Sequence, residues 1–165
     1  MTPQATVTPD LHIRGARDSD SKQLIRLIGD VFAEYSGCVL DVDGELPHFW
    51  RSVSAFGEWG GRLWVALRGE VVEGSAGLSV RDGVAELKHL YVARSARRRG
   101  LGGRLCGLVE EEARRRGHHR IELWTDTRFR DAHRLYERRG YVLGPHVREL
   151  HDLSASIEFF YDKVL

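Results

Sequence analysis

Little in this sequence invites a metal, a membrane or a polyanion. Only two cysteines are present, Cys38 and Cys106, and they lack metal-ligand spacing. Cys106 sits beside the apolar stripe of a helical segment and reads as a small buried hydrophobe. No apolar run approaches the roughly 18 residues of a membrane span. Charge of one sign is also missing. The formal net charge is +1, so the whole chain carries no nucleic-acid footprint. Residues 1–10 are polar, hold two prolines and have no apolar signal core; they read as a flexible leader, and the compartment expected is the reducing cytoplasm. There is no internal repeat or low-complexity tract. A dinucleotide fingerprint fails because the third glycine position is Leu105, and no P-loop is present.

What remains is a single domain's worth of chain, residues 11–165, with 42% apolar and 30% charged residues. Its most informative stretch is 84–103, VAELKHLYVARSARRRGLGG. Ala85 and Leu87 mark one strand face by period two, then Leu90 and Val92 continue in the opposite parity. One slip of register inside a strand is the signature of a β-bulge, which splays neighbouring strands and frees backbone groups. Arg94, Arg97, Arg98 and Arg99 follow with no acid among them. Gly100-Leu101-Gly102-Gly103 then opens a helix with the expected stripe Leu101, Leu105, Leu108 and Val109. Backbone amides at a helix start, approachable because glycine has no side chain, form an anion site. Strand, loop and helix together suit an extended ligand ending in phosphates.

Along the rest of the chain, Leu11 to Ala16 reads as a strand and Asp18 to Ser21 offers N-cap oxygens. The helix after it presents Leu24, Leu27, Ile28, Val31, Phe32 and Tyr35 on one face. Residues 38–47 read as an acidic loop, Pro47 to Phe56 as a further helix and Gly57 to Gly61 as a breaker. Strands are expected at Arg62–Leu67 and Val71–Val80, with Arg81-Asp82-Gly83 as a hairpin turn. After the helix at 100–116 come a strand at Arg120–Thr125, a helix at 131–139, a strand starting at Tyr141 and a last one at Ser156–Val164.

The pattern Arg97-x-x-Gly100-x-Gly102 after a strand resembles the acyl-CoA pyrophosphate loop of the GNAT family of N-acetyltransferases. A second stretch, Ala132-His133-Arg134-Leu135-Tyr136-Glu137-Arg138-Arg139-Gly140-Tyr141, resembles that family's late helix. The resemblance covers about residues 11–165 and is weakest over 38–60. It implies a mixed α/β (α+β) GNAT fold: a central, mostly antiparallel, splayed sheet with helices on both faces. It implies acetyl-CoA as co-substrate, an amine acceptor, and no metal, nucleic-acid or membrane partner. Cofactor contacts are expected from Leu90, Tyr91, Val92, Arg97, Arg98, Arg99, Gly100, Leu101, Gly102, Gly103, Arg104 and Ala132. Phe129 departs from the asparagine that many members carry there. Many members form dimers through their last strands; Phe159-Phe160-Tyr161 suits a homodimer or plain core.

Acetyl transfer to an amine needs a base for the ammonium and an acid for the departing thiolate. Tyr136 is the expected acid, since the family's tyrosine at this place lies near the cofactor sulfur; as a residue alone it also reads as core. Glu86, a carboxylate inside an apolar strand, is the expected base, or else an ion-pair partner. His89 at the bulge ranks second. Glu34, Tyr35, Asp41, Asp43 and Glu45 fall where the family builds its acceptor wall. Trp50, Trp59 and Trp64 read as core, and His118-His119 as a solvated linker. The other readings are an acyl-CoA-binding module of the same fold without turnover, and a basic nucleic-acid module on Arg94 to Arg104.

Overall fold

The computed structural model describes residues 10–165; most of the leader lies outside them. Seven strands form one sheet in the order β1-β2-β3-β4-β5-β7-β6. They are β1 (Leu11–Gly15), β2 (Arg62–Arg68), β3 (Val71–Arg81), β4 (Val84–Val92), β5 (Arg120–Asp126), β6 (Val142–Glu149) and β7 (Ile157–Val164). All neighbours are antiparallel except β4 and β5. The helices are α1 (Ser21–Phe32), α2 (Val42–Glu45), α3 (Ser52–Glu58), α4 (Leu101–Arg115) and α5 (Arg130–Arg138). This is the mixed, splayed, two-faced architecture expected.

Two apolar clusters flank the sheet. On one face, α1 packs Leu24, Leu27, Ile28 and Val31 over Leu63, Val65 and Leu67 of β2. On the other, Leu101, Leu105 and Val109 of α4 meet Ala76, Leu78, Ala85 and Leu87. A fully buried leucine or valine stabilises by about 1.5–3 kcal/mol, so these stripes fix which face each helix takes. The buried face of α4 is rotated from the stripe expected, taking in Cys106 and Ala113 and leaving Leu108 out. Leu108 is 37% exposed, because the buried row runs i, i+4, i+8 through Leu101, Leu105 and Val109, with Cys106 beside it. Burial pushes the Cys106 thiol up to about 12, so it behaves as a hydrophobe.

The β3–β4 hairpin turns on Asp82 and Gly83, both left-handed (φ 51° and 78°), as a two-residue turn between twisted strands requires. Other local details differ from expectation. Asp18 and Asp20 do not cap α1. Asp18 accepts from the Val53 and Ser54 amides of α3, while Asp20 pairs with Arg14 and accepts from Arg17 N–H. The segment Pro47–Arg51 is a 3-10 turn leading into α3, which continues through Gly57 to Glu58. Trp50 is not core: it is 51% exposed and its indole donates to Asp43. Trp64 is buried, as expected.

Candidate active site

The bulge lies where the apolar pattern slips. Ser75 pairs with Tyr91 and Gly77 with Lys88, so β4 spends one residue more than β3 between those rungs. His89 takes up the excess in a left-handed conformation (φ 52°), and its carbonyl accepts from Ser75 Oγ at 2.8 Å. The slip keeps Leu90 and Val92 on the α4 side with Ala85 and Leu87, and turns Tyr91 to the α1 side. On its other edge β4 pairs with β5 only at Ala85–Ile121 and Glu86–Glu122. Beyond Glu86, among the described residues, no strand partner continues on that side, and the two strands diverge.

A cavity of about 510 Å³ opens beside that divergence. Leu90, Tyr91 and Val92 form one wall. Arg97, Arg98 and Gly100 to Gly103 form the next. Here α4 begins on Gly100 in the left-handed region (φ 78°), with no side-chain cap. The amides of Leu101, Gly102 and Gly103 precede the first intrahelical bond, which Arg104 N–H makes to the Gly100 carbonyl at 3.0 Å. Unpaired amides at the positive end of a 15-residue helix are suited to a phosphate. Ala132, also expected there, lines the cavity too. Arg99 and Arg104 are exposed and do not line the cavity.

The third wall was largely missed by sequence reasoning. Asp131, Arg134, Leu135 and Arg138 of α5 line the cavity together. Their i, i+3, i+4, i+7 spacing is one helical stripe, legible once Ala132 is placed against the ligand. Arg134 is held by Asp131 at 2.6 Å. Among the described residues Arg98 and Arg138 form no ion pair, and both face the cavity. Val31 of α1 and Tyr35, just past its end, close it. Tyr35, expected in the acceptor wall, lies against Phe129 with ring centroids 4.8 Å apart and the planes tilted by 55°. The turn at Phe129 therefore lines the cavity through an aromatic ring rather than an amide side chain.

Tyr136 and Glu86 stand on opposite faces of the sheet. The Tyr136 ring is 5% exposed and packs near Tyr141 and Tyr161, at 5.7 and 6.0 Å. Burial raises its phenol well above the ordinary value, with a smaller contribution from Cys106 and then Tyr91. It does not line the cavity directly. Glu86 points to the other face, 3.6 Å from Lys88 Nζ. Register sets it beside Glu122 of β5, and Glu122 beside Asp162 of β7, so three carboxylates share one row across the sheet. Desolvation, and then Glu86, raise the Glu122 carboxyl. Asp162 is paired with Arg120.

His89 packs against a second histidine. Its Nε2 lies 3.4 Å from Nε2 of His48, among Phe49, Phe56 and Tyr91. Burial, and then Lys88, hold both imidazoles in the neutral form, His48 with a pKa of about 4. In the loop before α2, Asp41 caps that helix at Gly44, and Val39 N–H donates to Ser154 Oγ at 2.8 Å. That loop is thus tied to the β6–β7 connection. Among the described residues no group of three or more metal-ligating side chains gathers, and no helix is long and apolar enough to cross a membrane.

Residues 26–141 match the acetyltransferase (GNAT) family, and the chain belongs to it. A relative along most of the chain is the uncharacterized N-acetyltransferase YjgM of Escherichia coli (strain K12), 29% identical over 148 residues, 86% of this chain and 84% of that one. A shorter match, 41% identical over 58 residues, is to the aminoalkylphosphonate N-acetyltransferase of Salmonella typhimurium; it spans 35% of this chain and only 38% of that protein. An acetyltransferase of the GNAT family from Staphylococcus aureus Mu50 shares the fold with a TM-score of 0.82 at 21% identity, over 94% of this chain and 99% of that one. So does yncA of Salmonella typhimurium, solved with acetyl-CoA, at TM-score 0.72 and 20% identity over 94% of each chain.

Proposed function

We propose that this protein transfers acetyl from acetyl-CoA to a primary amine of a small molecule or peptide, by direct attack of the amine on the thioester. The observation that carries this reading is the uncapped start of α4, with the amides of Leu101 to Gly103 opening on the cavity beside the unpaired edge of β4. The helix start takes the pyrophosphate, and Arg98 and Arg138 add charge. The pantetheine arm, a chain of amides, pairs with Leu90 to Val92 as an added strand would. The carbonyl then lies at the bulge, where backbone amides polarise it.

The two faces divide the proton work. The acceptor approaches from the α1 side, where Glu86 or the His89–His48 couple takes a proton from the ammonium, directly or through water. The nitrogen attacks the thioester carbon, the tetrahedral intermediate gives up a second nitrogen proton to solvent as it collapses, and the thiolate leaves on the α5 side with a proton from Tyr136, whose phenol is then reprotonated from solvent. The divergence of β4 and β5 is the window joining the two. The burial of Tyr136 favours one other reading, an acyl-CoA-binding module without turnover, which the Tyr136 variant discussed below separates.

The cofactor assignment is tested at Gly103. A Cβ there would meet only Arg139 Nη1, at 3.8 Å, and Gly103 lies inside a helix, so Gly103→Glu leaves room for the fold while adding a negative charge at the helix start. Gly102 is less suitable, because a Cβ there would come within 2.9 Å of Leu135. Acetyl-CoA affinity by calorimetry should fall at least about tenfold, the scale of one charge-assisted contact. Unchanged affinity would sink the assignment.

A further inference from the structure

Arg97 stands in the loop expected to hold phosphate and lines the cavity, yet each nitrogen of its guanidinium already donates a bond within the protein. Its Nε donates to the Val92 carbonyl at 2.9 Å. Its Nη1 and Nη2 donate to the two carboxylate oxygens of Glu34 at 2.6 and 2.7 Å. The two side chains are 25% and 24% exposed. A fork-to-fork pair of this kind holds geometry as well as charge, unlike an ion pair in open solvent. Val92 ends β4. Glu34 lies just past α1, one residue before Tyr35, whose ring closes the cavity against Phe129. One guanidinium therefore joins three segments: the strand that would carry pantetheine, the loop that would carry phosphate, and the exit of α1.

Glu34 neutralises the charge that Arg97 would otherwise present to an anion. Arg98 and Arg138 keep theirs directed at the cavity. We propose that Glu34 is a positioning residue for the cofactor: through Arg97 it pins the 94–100 loop to α1, so that the α4 amides converge on the pyrophosphate. It also ties the occupied cavity to the segment after α1, on which the acceptor side is built. This rests on the acetyl-CoA reading above.

Simple electrostatics and the strut predict opposite signs. Deleting a carboxylate near a polyanion site should tighten binding by charge alone. Loss of the strut should weaken it. The test is calorimetric titration of the full chain with acetyl-CoA, for the parent, Glu34→Gln, Arg97→Gln and the double variant, each checked for a cooperative melt. A second titration uses S-acetylpantetheine, which carries no phosphate. Glu34→Gln should lose about tenfold in acetyl-CoA affinity, as for one charge-assisted bond, and keep its S-acetylpantetheine affinity. The double variant should be no weaker than the worse single one, since both remove the same contact. Equal or tighter acetyl-CoA binding by Glu34→Gln would overturn the strut. So would an equal loss for both ligands, or additive losses, which would make Arg97 a phosphate contact in its own right. A parent that binds no acetyl-CoA would instead overturn the cofactor reading beneath it.

Discussion

Tyr136 shows how one side chain can serve packing and chemistry together. Its ring is nearly sealed among Tyr141, Tyr161 and the α4 cluster. Burial keeps the phenol protonated far beyond neutral pH, which suits a donor and disqualifies a base. A coenzyme A thiolate is a fair leaving group, so one proton donor should contribute about 10²–10⁴-fold. Tyr136→Phe keeps the ring and deletes the hydroxyl. Acetyl-CoA affinity and melting temperature should stay near the parent's, while turnover of any amine the protein accepts drops at least about tenfold. Unchanged turnover with a lower melting temperature would make Tyr136 a core residue.

Among the elements, β4 was the most legible; α5 was expected at 131–139 and found at Arg130–Arg138, but the face it turns to the cavity was not read, and α2 fell inside a stretch read as a loop. The slip between Leu87 and Leu90 could be read because alternate burial leaves a period-two record, and any extra residue must break it. The α4 start could be read because acid-free arginines run into Gly100-Leu101-Gly102-Gly103 at a helix start, where charge and approachable backbone amides both suit an anion. The cavity stripe of α5 could not, since Asp131, Arg134, Leu135 and Arg138 look like any amphipathic helix until its neighbours are known. That stripe carries its own test. Arg138 lines the cavity and forms no ion pair among the described residues, so Arg138→Gln should weaken acetyl-CoA binding and flatten its salt dependence, because one fewer phosphate charge is matched. A salt titration parallel to the parent's would remove Arg138 from the site.

For the whole molecule, the contacts that join distant segments left no trace in the sequence. Glu34 and Arg97 are 63 residues apart, and His48 and His89 are 41 apart; no local period links such pairs. The histidine pair gives the fold an acid sensitivity that can be measured. His48 contacts the rings of Phe49 and Trp59 at 4.9 and 4.7 Å. Burial first, then the charges of Lys88 and Arg81, bring its pKa down to about 4. Burial, Lys88 and His48 bring His89 lower than the ordinary value as well. In the unfolded chain each imidazole titrates near 6.5. Above that pH both states are neutral and the pair costs no stability. As pH falls below it, the unfolded chain takes up protons that the folded chain refuses, so stability declines progressively toward pH 4. The acid pairs act lower: Glu112, held at about 2 by Arg115 and Arg116, loses its advantage only below the unfolded carboxylate range. Between pH 7 and 5, Glu45 and Glu122, whose carboxyls desolvation raises, act in the opposite sense, so the histidine contribution is read from the difference between the parent and a variant that lacks the imidazole. His48→Phe keeps a ring against Trp59 and removes the imidazole. Urea unfolding of the parent should show a falling midpoint across that window, and His48→Phe a shallower fall, by close to one proton in the linkage slope. Parallel slopes would mean that His48 titrates alike in both states and is solvated where the structure places it among aromatic rings.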